Sequence, residues 1–204
     1  MLPSDGTAAS DWIADRLAHG PDDRWREAMP PRLVFDQVCP AAVLIGLVWR
    51  SEGPTVLLTR RSDNLPTHPG QVSFPGGKQE AKDSSPIDTA LREAEEEIGL
   101  DRGLVRVLGT LPRFVTITRF SVVPVVGFLE APAELTPHPG EVAEIFEVPL
   151  AQVLRTDLYQ RHAFEHDGIH GYTLSLSWQQ HFIWGATAAM LRLLALTLSE
   201  PPGD

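Results

Sequence analysis

The segment from Gly70 to Leu100 constrains the fold most, because its second half carries a full set of helix boundary signals. Ser85 is a favourable N-cap, Pro86 suits the first helical position, and Asp88 completes an S-x-x-D capping box. Gly99 supplies the C-terminal stop. Between these signals, apolar side chains recur at helical spacing and predict one buried stripe: Ile87, Leu91, Ala94 and Ile98.

Three carboxylates, Glu93, Glu96 and Glu97, gather on another part of the surface of this helix. Like charges at these spacings repel by a few tenths of a kcal/mol per pair, and the helix dipole disfavours anions in the last turn. One interpretation is a solvated acidic face that Arg92 partly neutralises. The other is a site for Mg²⁺ or Mn²⁺, which prefer oxygen ligands. We favour the metal site, because the Pro-Gly-Gly run upstream marks a loop whose backbone comes close to another group.

The same stretch resembles a known family. Gly77 to Leu100 is similar to the Nudix box, G-x5-E-x7-R-E-U-x-E-E-x-G-U, in which U is apolar, and Arg92 to Leu100 fits every fixed position of its second half. The early acid is Asp83 in place of Glu, and one extra residue separates it from Arg92. This variant and the run LLTRRSDNLPTHPGQVSFPGG, Leu57 to Gly77, resemble the coenzyme A pyrophosphatase branch. The resemblance implies an α/β (α+β) chain folded as a Nudix-type α/β/α sandwich with a mixed central sheet.

The resemblance also implies roles for individual residues. Glu93, Glu96 and Glu97 would be the catalytic metal ligands, with Arg92 orienting a glutamate. A further catalytic acid is expected downstream, with Glu141 as first choice and Glu144 as second. The candidates for substrate binding are Arg60, Arg61, His68, Gln71, Gly76, Gly77 and Lys78. Pro66 stands where the branch usually has an arginine, which removes one phosphate contact.

The implied activity is hydrolysis of a nucleoside diphosphate linked to a second moiety. Two or more Mg²⁺ or Mn²⁺ ions would neutralise the pyrophosphate and activate a water, whose proton a carboxylate takes. Coenzyme A or an acyl-CoA, cleaved to 3′,5′-ADP and 4′-phosphopantetheine, is the preferred substrate. One alternative is a Nudix hydrolase of ADP-ribose, NADH or dinucleoside polyphosphates. Another is a nucleotide-binding module without turnover, although a pure binder has no need of three mutually repelling carboxylates.

Composition narrows the partners and the compartment. A formal net charge of −10 over 204 residues argues against nucleic acid held by a basic surface. Cys39 is the single cysteine, which excludes an intramolecular disulfide or a cysteine-based zinc site and fits a reducing cytoplasm. The N-terminus lacks a signal-peptide pattern, and no apolar run reaches transmembrane length. We predict a cytoplasmic protein with a small nucleotide as its partner and neither nucleic acid nor membrane; the oligomeric state stays open, a homodimer included.

The chain length fits one domain. We expect an N-terminal helix and connecting arm in residues 1–40, a single Nudix domain in 41–199 and a tail in 200–204. The N-terminal helix is predicted over Ser10–His19 with Ser10 or Asp11 as its cap, and residues 61–74 are predicted as a loop. Pro124 should turn part of its strand into an edge or a bulge. Strands are predicted over 41–49, 55–60, 105–108, 114–118, 120–129 and 144–148, a hairpin over 161–164 and 172–178, and helices over 150–154 and 185–199.

Overall fold

A computed structural model describes residues 2–21, 26, 29, 33–130, 134–166 and 169–199. The helices are α1 (Gly6–His19), α2 (Pro86–Ile98), α3 (Leu150–Val153) and α4 (Gly185–Leu198). The strands are β1 (Cys39–Val48), β2 (Thr55–Arg61), β3 (Val72–Ser73), β4 (Gly76–Lys78), β5 (Arg106–Thr110), β6 (Phe114–Val115), β7 (Phe120–Leu129), β8 (Val142–Pro149), β9 (Gln160–His166), β10 (Ile169–Trp178) and β11 (His181–Trp184).

The centre of the molecule is a mixed sheet. Strands β1 and β7 run parallel, with a continuous register from Cys39 opposite Phe120 to Val48 opposite Leu129. The other pairings in this sheet are antiparallel: β2 and β4 pair with β1, β5 and β6 pair with β7, and β3 and β8 pair with β2. Strands β9, β10 and β11 form a smaller antiparallel sheet. The predicted mixed central sheet is confirmed.

Helices cover both faces of the central sheet. On one face, Ala90, Ala94 and Ile98 of α2 pack on Leu44 and Leu57 of the sheet. On the other face, α1, α4 and the smaller sheet share a second apolar cluster with the opposite side of β1, β2 and β7. Full burial of a side chain such as that of Ile98 contributes about 1.5–3 kcal/mol relative to leaving it exposed. The layer order helix–sheet–helix confirms the predicted α/β/α sandwich.

Helix α2 has the predicted boundaries. The Ser85 hydroxyl accepts a hydrogen bond from the Asp88 N–H at 3.2 Å, and Gly99 ends the helix in the left-handed conformation with φ of 65°. The capping-box prediction was wrong in one half, because the Asp88 carboxylate accepts from the N–H of Ser84 at 3.2 Å and not from that of Ser85. The buried stripe also includes Ala90, which the sequence prediction omitted.

Helix α1 starts four residues earlier than predicted. Asp5 is its cap, since its carboxylate accepts from the Ala8 N–H at 2.9 Å. Ser10 is buried inside the helix, where its hydroxyl accepts from Arg106 at 2.7 Å, so the predicted caps were wrong. Leu17 of α1 packs on the central sheet next to Gly109. The proposed division of the chain at residues 40 and 199 stays a prediction.

Pro124 does not place its strand at an edge. Strand β7 pairs with β1 on one side and with β5 and β6 on the other, so that prediction was wrong. The Pro124 carbonyl accepts from the Leu111 N–H at 2.9 Å, in the connection between β5 and β6. The nitrogen and the carbonyl of one strand residue point to the same side of the strand. The Pro124 nitrogen, which has no hydrogen, therefore faces the connection between β5 and β6, where no strand needs its hydrogen bond. The bulge lies on β5, between Val107 and Gly109.

The remaining predicted elements are present with shifted ends. Strands β9 and β10 pair as the predicted hairpin, and residues 167–168, around which it was predicted, lie outside the described residues. The predicted strand over 114–118 ends at Val115, because the Arg119 N–H closes a turn on the Thr116 carbonyl at 3.0 Å. Residues 61–74 contain β3, so they are not entirely loop. No helix in the described part of the chain has both the length and the apolar character needed to cross a membrane.

Candidate active site

Glu97 is a buried carboxylate on the sheet-facing side of α2. Its residue exposure is 5%, and its Oε2 accepts from the Gly76 N–H at 3.2 Å. Burial raises the pKa of Glu97 to about 8, the charges of Glu93 and Glu141 add to this, and the Gly76 N–H and Arg61 oppose it. The positive groups around this carboxylate therefore do not compensate for its burial, and an added cation would favour its charged form.

The two glycines of the Pro-Gly-Gly run have different reasons to lack a side chain. A Cβ at Gly76 would lie 2.5 Å from the Ala42 carbonyl oxygen and 2.7 Å from the Val43 Cα, so this position is closed by backbone of β1. A Cβ at Gly77 would lie 2.5 Å from Oε1 of Glu93. Gly76 therefore permits β4 to pair with β1, and Gly77 leaves room for the Glu93 carboxylate.

Arg92 connects the helix to the preceding loop. Its side chain is only 7% exposed, and its Nε and Nη2 donate to the two oxygens of Asp83 at 2.9 and 3.0 Å. Its Nη1 donates to Glu93 at 2.8 Å and to Glu96 at 2.9 Å. The Arg92 guanidinium holds the pKa of Asp83 well below its usual range, and the pKa of Arg92 is raised in turn. The resemblance singled out Asp83 only as a variant acid, and no periodicity links the two positions.

The carboxylates of α2 do not form a finished metal site as they stand. Within the described ranges, no three His, Cys, Asp or Glu side chains converge closely enough to hold a metal ion. Arg92 accounts for this, because it binds one oxygen each of Glu93 and Glu96. The donor set still fits a hard divalent cation: burial raises the pKa of both Glu93 and Glu97, and Glu96 is a third carboxylate on the same helix with its side chain 53% exposed.

The consecutive arginines of β2 serve opposite faces of the sheet. Arg61 lies on the face of α2, where its charge acts on Glu97, and its buried Nε has no hydrogen-bond partner. Arg60 lies on the side of β11, with Nη1 3.1 Å from an oxygen of Asp63 and Nε 3.6 Å from one of Glu144. Of the two predicted arginines, only Arg61 is therefore brought to the carboxylates of α2.

The two candidate downstream acids also lie on different faces. Glu141 is exposed beside the first residue of β8, and its charge raises the pKa of both Glu93 and Glu97. Glu144 lies with Arg60 on the opposite face, where its Oε1 is 3.5 Å from Nε2 of His181. Glu141 is thus the acid next to the helix carboxylates.

The other predicted substrate residues spread around this centre. His68 is exposed in the loop before β3, with φ of 56°. Gln71 lines a cleft together with Arg60, on the side away from α2. The Lys78 carbonyl accepts from Arg92 at 3.1 Å, while its ammonium lies 5.7 Å from the centre of the Phe120 ring. The assembled group is Glu93, Glu97, Glu141, Arg61, Gly76 and Gly77, with Glu96 held at its edge by Arg92.

The model of one protein family, the NUDIX domain, matches residues 40–166 of this chain, which include β1 from its second residue, β2 to β9 and all of α2. The chain belongs to the Nudix family. The carboxylates of α2, the Pro-Gly-Gly run and Asp83 therefore lie inside the matched region of this Nudix hydrolase.

Curated relatives extend the match over most of the chain. A protein named uncharacterized Nudix hydrolase NudL, from Pectobacterium atrosepticum, is 42% identical over 181 residues, 88% of this chain and 93% of that protein. Another of the same name, from Yersinia enterocolitica, is 49% identical over 158 residues, 76% of this chain and 79% of that protein. These relatives support a Nudix pyrophosphatase, and neither name states a substrate.

Solved Nudix structures resemble part of this hydrolase. The Nudix hydrolase RenU from M. smegmatis is 24% identical and has a TM-score of 0.48, covering 58% of this chain and 75% of that one. The Nudix domain of Shewanella oneidensis NrtR, in complex with ADP ribose, is 22% identical with a TM-score of 0.45, covering 59% and 79%. Nudix hydrolases act with divalent metal ions on small nucleotide compounds, and this Nudix enzyme is a hydrolase of that kind.

Proposed function

We propose that this Nudix hydrolase is a Mg²⁺- or Mn²⁺-dependent pyrophosphohydrolase that cleaves coenzyme A or an acyl-CoA to 3′,5′-ADP and 4′-phosphopantetheine. The observation that carries the hydrolase proposal is Glu97, a buried carboxylate with a pKa raised to about 8 beside two further acids and a glycine loop. Buried carboxylates whose charged form is disfavoured are common at metal and catalytic sites.

Glu93, Glu96 and Glu97 would hold the cation. A bound divalent ion supplies charge neutralisation for the diphosphate and a lowered pKa for an attacking water. In the metal-free protein, Arg92 holds Glu93 and Glu96 by hydrogen bonds, and Asp83 holds Arg92 in the same way. Arg61 contributes a positive charge on the face of α2, where it acts on Glu97, and its guanidinium is our candidate phosphate ligand.

Glu141 is our proposed general base, since its charge reaches Glu93 and Glu97 and it is exposed to water. We expect Glu141→Gln to lower kcat more than it raises KM, because the lost group acts on the reaction and not on binding. Glu144→Gln is the matched control, since the same change falls on the opposite face of the sheet. Steady-state kinetics with Mg²⁺ decide the point: the reverse ranking moves the role to Glu144, and two silent variants remove both acids from the mechanism.

The preference for coenzyme A rests on the resemblance of residues 57–77 to the coenzyme A branch and on Arg61. Coenzyme A carries a 3′-phosphate that dephospho-CoA lacks, and a guanidinium binds such a group with two parallel hydrogen bonds. Pro66 lacks the charge that an arginine would add at that position of the loop. Arg61 is therefore the arginine of this loop region to which we assign phosphate recognition.

A substrate panel tests the proposal. Purified protein is assayed with CoA, acetyl-CoA, dephospho-CoA, ADP-ribose, NADH and diadenosine polyphosphates, in Mg²⁺, in Mn²⁺ and in EDTA. We expect the highest kcat/KM with CoA compounds and no turnover in EDTA until metal is restored. A preference for ADP-ribose or NADH rejects coenzyme A but not hydrolysis. Binding of these compounds without turnover in either metal identifies a binding module.

Arg61→Ala is expected to lower kcat/KM for CoA by about tenfold or more, the usual effect of losing hydrogen bonds to a charged group. The effect on dephospho-CoA should be smaller, so the ratio between the two substrates falls. Arg102→Ala serves as the control, because Arg102 pairs with Glu95 on the exposed side of α2. An unchanged ratio in Arg61→Ala contradicts the assignment of the 3′-phosphate to this residue.

A further inference from the structure

A cleft of about 330 Å³ lies on the face of β2 opposite α2. Arg60 and Gln71 line it from the central sheet and its loop, and Gln180, Phe182 and Trp184 line it from the smaller sheet. The proposed reaction uses none of its aromatic side chains. Strand β2 lies between this cleft and the carboxylates of α2.

Two aromatic rings stand exposed on this surface. Along β11 the side chains alternate, so that His181 and Ile183 are buried while Phe182 is 53% exposed and Trp184 is 44% exposed. In the described part of the chain, they are the two aromatic members of the set of exposed large hydrophobic residues. Their partners across the ladder on β10 are Ser177 and Ser175, and the edge contact of Phe182 with His162, at 6.2 Å between ring centres, holds that ring in place.

The charges of the cleft select for a neutral, planar ligand. The Arg60 guanidinium lies at 3.1 Å from Asp63 and 3.6 Å from Glu144, so its charge is already matched by two acids. His181 is stacked on Phe146 at 3.7 Å between ring centres. Two aromatic rings and the amide of Gln71 face the cleft, and the Gln180 amide adds its oxygen while its nitrogen lies 3.1 Å from Nε2 of His181. These groups suit a purine base better than a phosphate.

The cleft begins close to the proposed reaction centre. Arg60 and Arg61 are consecutive, so their Cα atoms are about 3.8 Å apart while their side chains serve the two faces. The carbonyl of Gln71 accepts from the Arg61 N–H at 2.9 Å, which ties the cleft wall to the same residue. Strand β2 ends at Arg61, which places the end of the strand between the cleft and the carboxylates of α2.

We infer that this cleft binds the purine ring of the nucleotide substrate, by stacking on Trp184 and Phe182, while the diphosphate lies at α2. The inference rests on the proposed function, because it assigns one substrate to both surfaces. Stacking on an aromatic side chain is sequence-tolerant and strong, so loss of a ring should weaken binding of any adenine nucleotide.

The test is binding of AMP to metal-free protein, measured by isothermal titration calorimetry in EDTA, so that turnover plays no part. Trp184→Ala and Phe182→Ala are each expected to raise the Kd for AMP by about tenfold, whereas Trp184→Phe restores most of the affinity. Ribose 5-phosphate, which has no base, is expected to bind all variants alike. Leu104→Ala is the matched control, since Leu104 is also 53% exposed but lies after α2.

Each outcome separates this inference from the proposed reaction. An unchanged Kd for AMP in Phe182→Ala and Trp184→Ala overturns the ring site even if metal-dependent turnover is normal, and a wild-type protein that fails to bind AMP does the same. Reduced AMP binding in a protein that turns over no diphosphate keeps the ring site and rejects the reaction. If Trp184→Ala binds AMP with an unchanged Kd but sediments differently, the rings of Trp184 and Phe182 serve contact between copies of the protein, and the ring site is rejected. Thermal melting of each variant identifies any that fail to fold. If Trp184→Ala does not fold, the Kd for AMP of Phe182→Ala alone tests the ring site.

Discussion

Glu97→Gln is expected to lower kcat by orders of magnitude while raising the melting temperature of the metal-free protein. The carboxylate is lost as a metal ligand, but the amide oxygen still accepts from Gly76, and no buried charge remains. The pKa of Glu97 is raised to about 8 in the folded protein. Between about pH 4.5 and 8 the Glu97 carboxyl therefore keeps its proton in the folded protein and loses it in the unfolded chain. The stability of the metal-free wild type should therefore fall as pH rises from about 4.5 to 8, and that of the variant should fall less, because only Glu93 retains a raised pKa on this face of α2.

The difference in the free energy of unfolding reaches at most about 5 kcal/mol above pH 8, roughly 10 °C in melting temperature for a chain of this size. Thermal melts in EDTA from pH 4.5 to 9 measure it, and kcat is measured in Mg²⁺. Glu95→Gln is the matched control, because Glu95 lies on the same helix, exposed and paired with Arg102. Full turnover by Glu97→Gln would remove it from the metal site, and a pH-independent difference in melting would contradict its raised pKa.

Asp83→Asn should destabilise the fold more than any surface charge replacement. The Asp83 side chain is 3% exposed and accepts from Arg92, from the Thr89 hydroxyl at 3.0 Å and from the Glu80 N–H at 2.8 Å. An amide turns one acceptor into a donor and leaves the buried Arg92 with less negative charge around it. We expect a fall in melting temperature on the order of 10 °C at pH 7. Glu93 and Glu96 should also be held more tightly by Arg92, which weakens metal binding.

Asp157→Asn provides the control, since Arg155 binds Asp157 through the same two-bond geometry at 2.9 and 2.7 Å with both side chains 61% exposed. Its melting temperature should change by no more than about 2 °C. The pKa of Asp83 is lowered, so the advantage of the wild type over Asp83→Asn is present above about pH 4 and is lost as pH falls below it. Equal changes in melting temperature for Asp83→Asn and Asp157→Asn would show that the buried ion pair of Asp83 and Arg92 contributes no more to stability than an exposed one.

Local signals predicted α2 and its carboxylates well. The serine cap, the proline and the terminal glycine each act within one helical turn, so neighbouring residues suffice to identify them. The spacing of Glu93, Glu96 and Glu97 follows from the helical repeat alone. Strands β3, β4 and β11 span two to four residues, which is too short for a period of two to be recognised.

Contacts across the chain were not predictable in the same way. The pairing of Asp83 with Arg92 depends on how a loop folds back on the helix, and no repeat length encodes it. The predicted strand stopped at Arg60, so the alternation of side chains was not extended to Arg61; in the structure β2 includes both, and they serve opposite faces. Alternation does not separate Glu141 from Glu144, because the register between β2 and β8 shifts by one residue between Glu144 and Val142, and no local pattern in the sequence marks that shift.

The parallel ladder between β1 and β7 sets the order in which the chain becomes organised. Residues 49–119, with α2 among them, lie between the two strands, so the ladder closes a long loop whose entropy must be lost before its contacts form. A chain emerging from the ribosome has its acidic helix available well before the strand that completes the central sheet. Gly76 and the β1 and β2 residues on which α2 packs precede Glu97 in the chain, whereas Glu141 follows β7. The downstream acid therefore joins the carboxylates only after the second strand of the ladder has been synthesised.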